Sequence, residues 1–403
     1  MGTTNVLKTS TINTLKNFTN ETSFFLASPF QTIFAEGTFR IVRHCQSDKY
    51  SEYVHTVLHE AEQAGHPNPI VVGALPFDCT NTMQLIVPQK LTITNRLQFN
   101  NTDQNPLQLP TFSYELKPVP NPSEYILGVE KAVRKIKNGD MQKVVLSRAL
   151  DVHLAEKVNT KKLLYDLARH NEHGYTFAVD LPNTDANGDS IQECDRTIIG
   201  ASPELLVSRR GMQVISNPLA GSRPRSKDPV EDKRRADELL SSVKDLHEHK
   251  VVVEAIVAAL RPYCRTLSVP EKPSLINSET MWHLSTVVKG ELYDESISAL
   301  ELALALHPTP AVCGTPTEKA RAAINEIEKF NREFFTGIIG WSDLNGDGEW
   351  IVTIRCAEVD GSSLRLFAGA GIVAESIPED ELAETTAKFR TMLQALGLKN
   401  TEL

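Results

Sequence analysis

Two glutamates in very different settings are the first sign of chemistry in this chain. Glu204 follows a Gly-Ala-Ser-Pro turn at the edge of the apolar run GASPELL, and Glu248 lies within an amphipathic helical pattern, KDLHEHK. Carboxylates in unlike surroundings can divide labour: one stays protonated as an acid while the other is ionised and ligates a metal. Asp245 and Glu248 are three residues apart and share a helix face, as do Glu384 and Lys388, four apart near the C-terminus. A hard divalent cation would suit one carboxylate from each of two helices, with water and substrate oxygens completing its shell. Taken alone, each pair reads as an ordinary solvated helix pair.

Arg355 falls in VTIRC, which the pattern reads as a strand; there it is either paired structurally or aimed at a carboxylate ligand. Ala368-Gly369-Ala370 follows closely, and small residues let backbone N–H groups approach an anion. Packing inside a strand explains the same glycine equally well. The turn at Gly221-Ser222 carries the same two readings. Lys143 opens a β-branched strand; turned into a partly buried site it becomes a base, and at a strand start it is more commonly solvated.

Three motifs imitate metal sites. Asp343-Leu-Asn345-Gly-Asp347-Gly348 copies the first half of an EF-hand loop, but Ile354 stands where the bidentate glutamate belongs, so a hairpin turn is expected. His247-Glu248-His249 is not H-E-x-x-H, because residues two apart face away from each other on a helix. His307 sits in a rigid His-Pro-Thr-Pro loop and need not be a ligand.

The elements that must position these residues follow from periodicity. A helix is predicted over Ser123–Asn138, with Pro122 ahead of it, Ile126, Val129, Val133 and Ile136 on one face, and Gly139 closing it. KVVLSRALDVHL, from Lys143, reads as a buried strand. Short strands are expected at Tyr175–Asp180, Thr197–Gly200, Glu204–Ser208, Gln213–Ser216, Ser285–Val288, Gly337–Ser342, Trp350–Ala357 and Ser363–Ala370. One long helix should run from Asp228-Pro229 to near Pro262, and others over Thr160–Asn171, Ser296–Leu306, Thr317–Phe335 and Glu379–Leu396. Asn105–Pro122 reads as a surface connector. Strands clustered in runs with hairpin-like links favour an antiparallel α+β fold over a βαβ repeat.

The chain of 403 residues is 41% apolar and 23% charged, enough to bury a large core. A net charge of -9 argues against nucleic acid or an anionic membrane as partner, and an anionic substrate would need a local positive site. The six cysteines, Cys45, Cys79, Cys194, Cys264, Cys313 and Cys356, show no C-x-x-C spacing and fit a reducing cytosol. The N-terminus shows no signal-peptide pattern, and Val6 spoils the likeness of Met1-Gly2 to a myristoylation start. Val251–Leu260 is too short to span a bilayer. A cytoplasmic protein is expected.

KVVLSR, GASPELL, PLAGS, the helix with DLHEH, MWHL, HPTPA, GWSDLNGDGEW, TIRCA, FAGAGIV and ET-x-x-K occur in this order. The set resembles the chorismate-utilising enzymes, and most closely the isochorismate synthases of catecholate siderophore pathways. The likeness covers residues 115–403 and extends more weakly into FFLASPF and PIVVGALPFD. It implies a single chorismate-binding domain over 1–403, residues 1–115 forming the N-terminal part of an antiparallel β-sandwich and 116–403 the catalytic core region, with helices outside. It further implies Mg²⁺ held by Glu248 and Glu384, Lys143 as the base that activates water, and Glu204 as the acid for the departing hydroxyl. Arg355 and Gly369 would clamp the enolpyruvyl carboxylate, Gly221, Ser222 and Lys388 would surround the ring carboxylate, and His283 and Ala311 would line the ring. A monomer acting on chorismate follows from the same likeness. Arg223-Pro-Arg225 is closer to the amine-using relatives, whereas HPTPA favours the water-using branch. Salicylate synthase, an anthranilate- or aminodeoxychorismate-type synthase and a non-catalytic chorismate-binding paralogue are the other readings; the last has no need of the acid and base.

Overall fold

The structure is a computed structural model. It describes residues 15, 18, 22–42, 49–99, 113–171, 173–181, 183–184, 190–191 and 196–398. Cys45, Cys194, Met1-Gly2 and residues 105–112 of the expected connector lie outside them.

Lys143–Leu154 forms the strand around which the site is built. Its β-branched and apolar residues up to Val152 are buried, and it pairs antiparallel with Ser363–Ile372 over ten consecutive positions. That register sets Gly369 opposite Ser147 and Gly371 opposite Val145. Tyr114–Val119 pairs along its other edge, so the second half of the expected connector is in fact a strand. Its Pro118 is tolerated because an edge strand has N–H groups with no ladder to serve. Further antiparallel pairings link the strands into one extensive sheet that closes on itself.

A separate three-stranded sheet, ordered Leu219–Pro224, Met281–Ser285, Ser274–Asn277, lies outside that network. It carries Gly221, Ser222 and His283. The strand expected over Ser285–Val288 is two strands, because the chain leaves the small sheet at Ser285 and joins the large one at Val288–Leu292.

The helices start where capping chemistry allows. Asn121 accepts from Glu124 N and the Glu124 side chain answers at Asn121 N, with Pro122 at the first position. Asp228 caps Pro229–Ser241 by accepting from Val230 N and Glu231 N, again with proline at the first position. The single long helix expected from there to Pro262 is instead two, Pro229–Ser241 and Val243–Leu260. Ser242 adopts extended backbone and its side chain accepts from Asp245 N, so a serine ends one helix by capping the next. The helix expected over Thr317–Phe335 stops at Ile327, and the following residues turn into the site. No helix among the described residues is long and apolar enough to cross a membrane.

Candidate active site

Lys143, Val145 and Ser147 project to one side of their strand, as residues two apart must. Phe367, Gly369 and Gly371 line the same face of the paired strand. A Cβ added to Gly371 would sit 2.1 Å from Glu248 Oε1 and 2.9 Å from Lys143 Cε. Glycine is therefore what admits the carboxylate and the lysine to this wall. Lys143 is fully buried, and its Nζ lies 2.9 Å from Glu248 Oε1 as an ion pair whose angle leaves no well-directed hydrogen bond.

Glu248 reaches the cavity from the helix Val243–Leu260, and Glu384 from the helix Pro378–Ala395. Burial opposes ionisation of Glu384, but Lys388, Lys244 and Ser222 outweigh it and hold the carboxyl well below its ordinary range. Lys388 Nζ stands 2.6 Å from Glu384 Oε1 and donates to Gly369 O at 2.8 Å. Ser222 Oγ donates to Glu384 Oε1 at 2.9 Å. Glu381, one turn earlier, is pushed upward by burial and by the charge of Glu384, although Lys244 pairs with it at 2.5 Å.

Glu204 enters the same cavity from the position immediately before the strand Leu205–Arg210. Burial raises its carboxyl to about 7, against the opposing influence of Leu219 N–H, Lys143, Arg355 and Lys388. It is thus the proton-bearing carboxyl of the pair singled out by sequence. Arg355 is not in a strand, contrary to the sequence expectation. It stands between Gly348–Val352 and Cys356–Asp360 at φ +52°, because the chain turns there from one strand pairing to the next. A non-glycine residue held in this region is strained by roughly 1–3 kcal/mol and persists only where its surroundings over-determine it. Its guanidinium is buried, Nη2 lies 3.5 Å from His283 Nε2, and burial brings its pKa down to about 10, so it remains a cation at neutral pH. Burial, aided by Arg355, keeps His283 well below the usual range and therefore neutral.

Glu204, Gly221, Ser222, Glu248, His283, Ala311, Arg355, Gly369, Glu384 and Lys388 all line one cavity, with Lys143 directly behind Glu248. Sequence reasoning missed Gly371, Thr336, Ile354, Phe335 and Phe367 in the same lining. Phe335 and Phe367 stack at 4.8 Å, giving an apolar side to an otherwise charged chamber. Only Gly371 left a usable trace, as the last glycine of FAGAG.

The motifs set aside behave as turns and braces. Asp343–Gly348 is a hairpin turn in which Asp343 Oδ1 accepts from Asn345 N and Asp347 N. His307 Nε2 lies 3.1 and 3.2 Å from Pro76 O and Phe77 O. His249 ties its helix to Ala220 O at 3.2 Å and to Thr286 Oγ1 at 2.7 Å. Arg223 pairs with Asp245 at 2.7 Å. Arg225 pairs with Asp232, which also accepts from Trp282 Nε1 at 3.0 Å, and the guanidinium stacks on the Trp282 ring at 4.5 Å. These contacts pin the small sheet, with Ser222 and His283, against two helices.

Residues 70–397 match the family model described as chorismate binding enzyme. The Bacillus subtilis isochorismate synthase DhbC is 57% identical over 380 residues, 93% of this chain and 94% of that protein. The vibriobactin-specific isochorismate synthase of Vibrio cholerae is 42% identical over 379 residues, 93% and 92% of the two chains. A Bacillus anthracis crystal structure, described as a 2,3-dihydroxybenzoate-specific isochorismate synthase, DhbC, superposes with a TM-score of 0.90 at 63% identity, covering 96% of this chain and 99% of that one. The menaquinone-specific isochorismate synthase MenF of Escherichia coli shares the fold, with a TM-score of 0.78 at 24% identity over 96% and 92% of the chains. A match of this extent, over a cavity already equipped with an acid, a buried amine and an arginine, places the chain in the family of chorismate binding enzymes.

Proposed function

We propose that this protein is an isochorismate synthase: it converts chorismate reversibly to isochorismate by adding water at C2 and expelling the C4 hydroxyl. The observation that carries the reading is Glu204, a buried carboxyl raised to about 7, on the same cavity as Arg355 and the Lys143–Glu248 pair. The reaction needs a base on one side of the ring and an acid on the other. Lys143 takes the base role, which requires its neutral amine, and removes a proton from the attacking water. Glu204 gives its proton to the departing hydroxyl. Arg355 and the backbone at Gly369 hold the enolpyruvyl carboxylate, Gly221, Ser222 and Lys388 surround the ring carboxylate, and His283 and Ala311 line the ring. Neutral His283 adds no competing charge beside Arg355. Holding the ring between these groups replaces a bimolecular encounter with a positioned one.

Mg²⁺ fits the donors present. Among the described residues no three His, Cys, Asp or Glu side chains converge as a metal cage. Two hard carboxylates, Glu248 and Glu384, do face one cavity, and Mg²⁺ characteristically takes one or two carboxylates and completes its shell with water and substrate oxygens. Bound there, it would neutralise and orient the ring carboxylate. The reading extends to a monomeric, cytoplasmic enzyme, and to a 2,3-dihydroxybenzoate siderophore route in line with the description of the Bacillus anthracis structure.

The test is incubation of the purified protein with chorismate and Mg²⁺, followed by chromatography. Isochorismate is the expected product. Release of stoichiometric pyruvate would show a lyase instead, ammonia-dependent product would show an amine-using synthase, and no turnover would leave only a binding protein. Glu248→Ala should raise the Mg²⁺ concentration needed for half-maximal rate; an unchanged titration overturns the metal assignment.

A further inference from the structure

Ser147 belongs to none of the roles assigned above, yet its hydroxyl is unexplained by the fold. It is 1% exposed, and Oγ has no hydrogen-bond partner. A buried hydroxyl without a partner costs about 1–3 kcal/mol, so folded proteins seldom keep one without a use. Its backbone N–H is occupied, donating to Glu328 Oε1 at 2.8 Å, so the residue is fixed in place while its side chain remains unengaged.

The direction of that side chain follows from the strand. Ser147 shares its strand face with Lys143 and Val145; Val145 lines the cavity, and Ser147 stands directly behind that lining. It stands opposite Gly369, and a Cβ at Gly369 would come within 2.8 Å of Ser147 Oγ. The hydroxyl therefore occupies the space that glycine leaves free, beside the backbone to which the proposed function gives a carboxylate. The Gly369 carbonyl already accepts from Lys388, which fixes that stretch of backbone from the other side.

We infer that Ser147 is a substrate-binding residue whose hydroxyl donates to the side-chain carboxylate of the substrate, completing the anion subsite formed by Arg355 and Gly369. The inference rests on the proposed isochorismate synthase reading for the identity of the ligand. A hydroxyl serves this position well: it rotates to meet the anion and adds no charge beside Arg355. The contact is made to the ground state and the transition state alike, so its loss appears in binding rather than in the chemical step.

Ser147→Ala separates this role from a structural one, because the two predict opposite combinations. Removing an unpartnered hydroxyl should leave the melting temperature unchanged or higher. If the hydroxyl binds substrate, KM for chorismate rises about tenfold while kcat stays within about twofold, as expected for one hydrogen bond to a charged group. Ser147→Cys, nearly isosteric with a weaker donor, should fall between wild type and alanine. A competitive ring carboxylate that lacks the enolpyruvyl group should inhibit wild type and Ser147→Ala equally. An unchanged KM in Ser147→Ala overturns the inference, and so does an equal loss of affinity for the truncated inhibitor. Wild-type protein that does not turn over chorismate would refute the proposed function, a result distinct from either.

Discussion

Glu204 and Glu384 have the same functional group and are driven in opposite directions. Glu204 has only a long contact with Leu219 N–H, at 3.4 Å, and more distant cations, so burial dominates and raises it to about 7. Glu384 touches Lys388 and Ser222 directly, and those contacts outweigh burial. The proton is therefore held on Glu204, the residue proposed as the acid. Glu204→Gln and Lys143→Ala should each lower kcat by at least about 10²-fold, within the range for loss of a positioned acid or base, while chorismate still binds. Near wild-type rates in steady-state assays would remove the roles assigned to them. Because the raised acid of Glu204 is protonated below about 7 and loses its proton above, kcat/KM should fall as pH rises through about 7. A pH–rate profile flat across neutrality would contradict this. The types and order of these residues were legible in the sequence; the differing fates of the two carboxyls were not, since they depend on burial around Glu204 and on Ser222, 162 residues from Glu384 in the chain.

At the scale of elements, the site is the meeting of two paired strands, two helices and a small detached sheet. The pattern of alternation in KVVLSR and FAGAGIV was readable, but their register was not, and register is what brings Gly369 to Ser147 and Gly371 to the Lys143–Glu248 pair. Gly371→Ala should abolish activity with little loss of secondary structure, because a methyl 2.1 Å from Glu248 Oε1 must expel that carboxylate or the neighbouring lysine. Circular dichroism together with the isochorismate assay checks both parts. The division of the long helix at Ser242 escaped periodicity because its apolar repeat continues through the break. The Ser242 side chain decides the matter locally, by accepting from Asp245 N and so starting a new helix.

For the whole molecule, the antiparallel α+β class was apparent from runs of short strands, and the long-range closure of the sheet was not. Strands distant in sequence pair directly: Gln31–Val42 with Gln84–Asn95, Ile70–Leu75 with Ile338–Asp343, and Thr22–Ala27 with Tyr175–Asp180. The N-terminal part is thus stitched into the same sheet as the catalytic strands. Heat should unfold both together, giving one calorimetric transition that shifts as a unit when chorismate and Mg²⁺ are added. Two transitions, only one of them ligand-sensitive, would divide the chain into independent units.

The left-handed backbone at Arg355 has a further cost that falls on anyone who engineers this enzyme. Glycine at that position would relax the main chain and remove a buried cation, and both changes favour a sturdier protein. Selection for heat resistance alone would thus reward the loss of the side chain proposed to meet the substrate, so thermostabilised libraries of this enzyme have to be sorted on turnover from the first round.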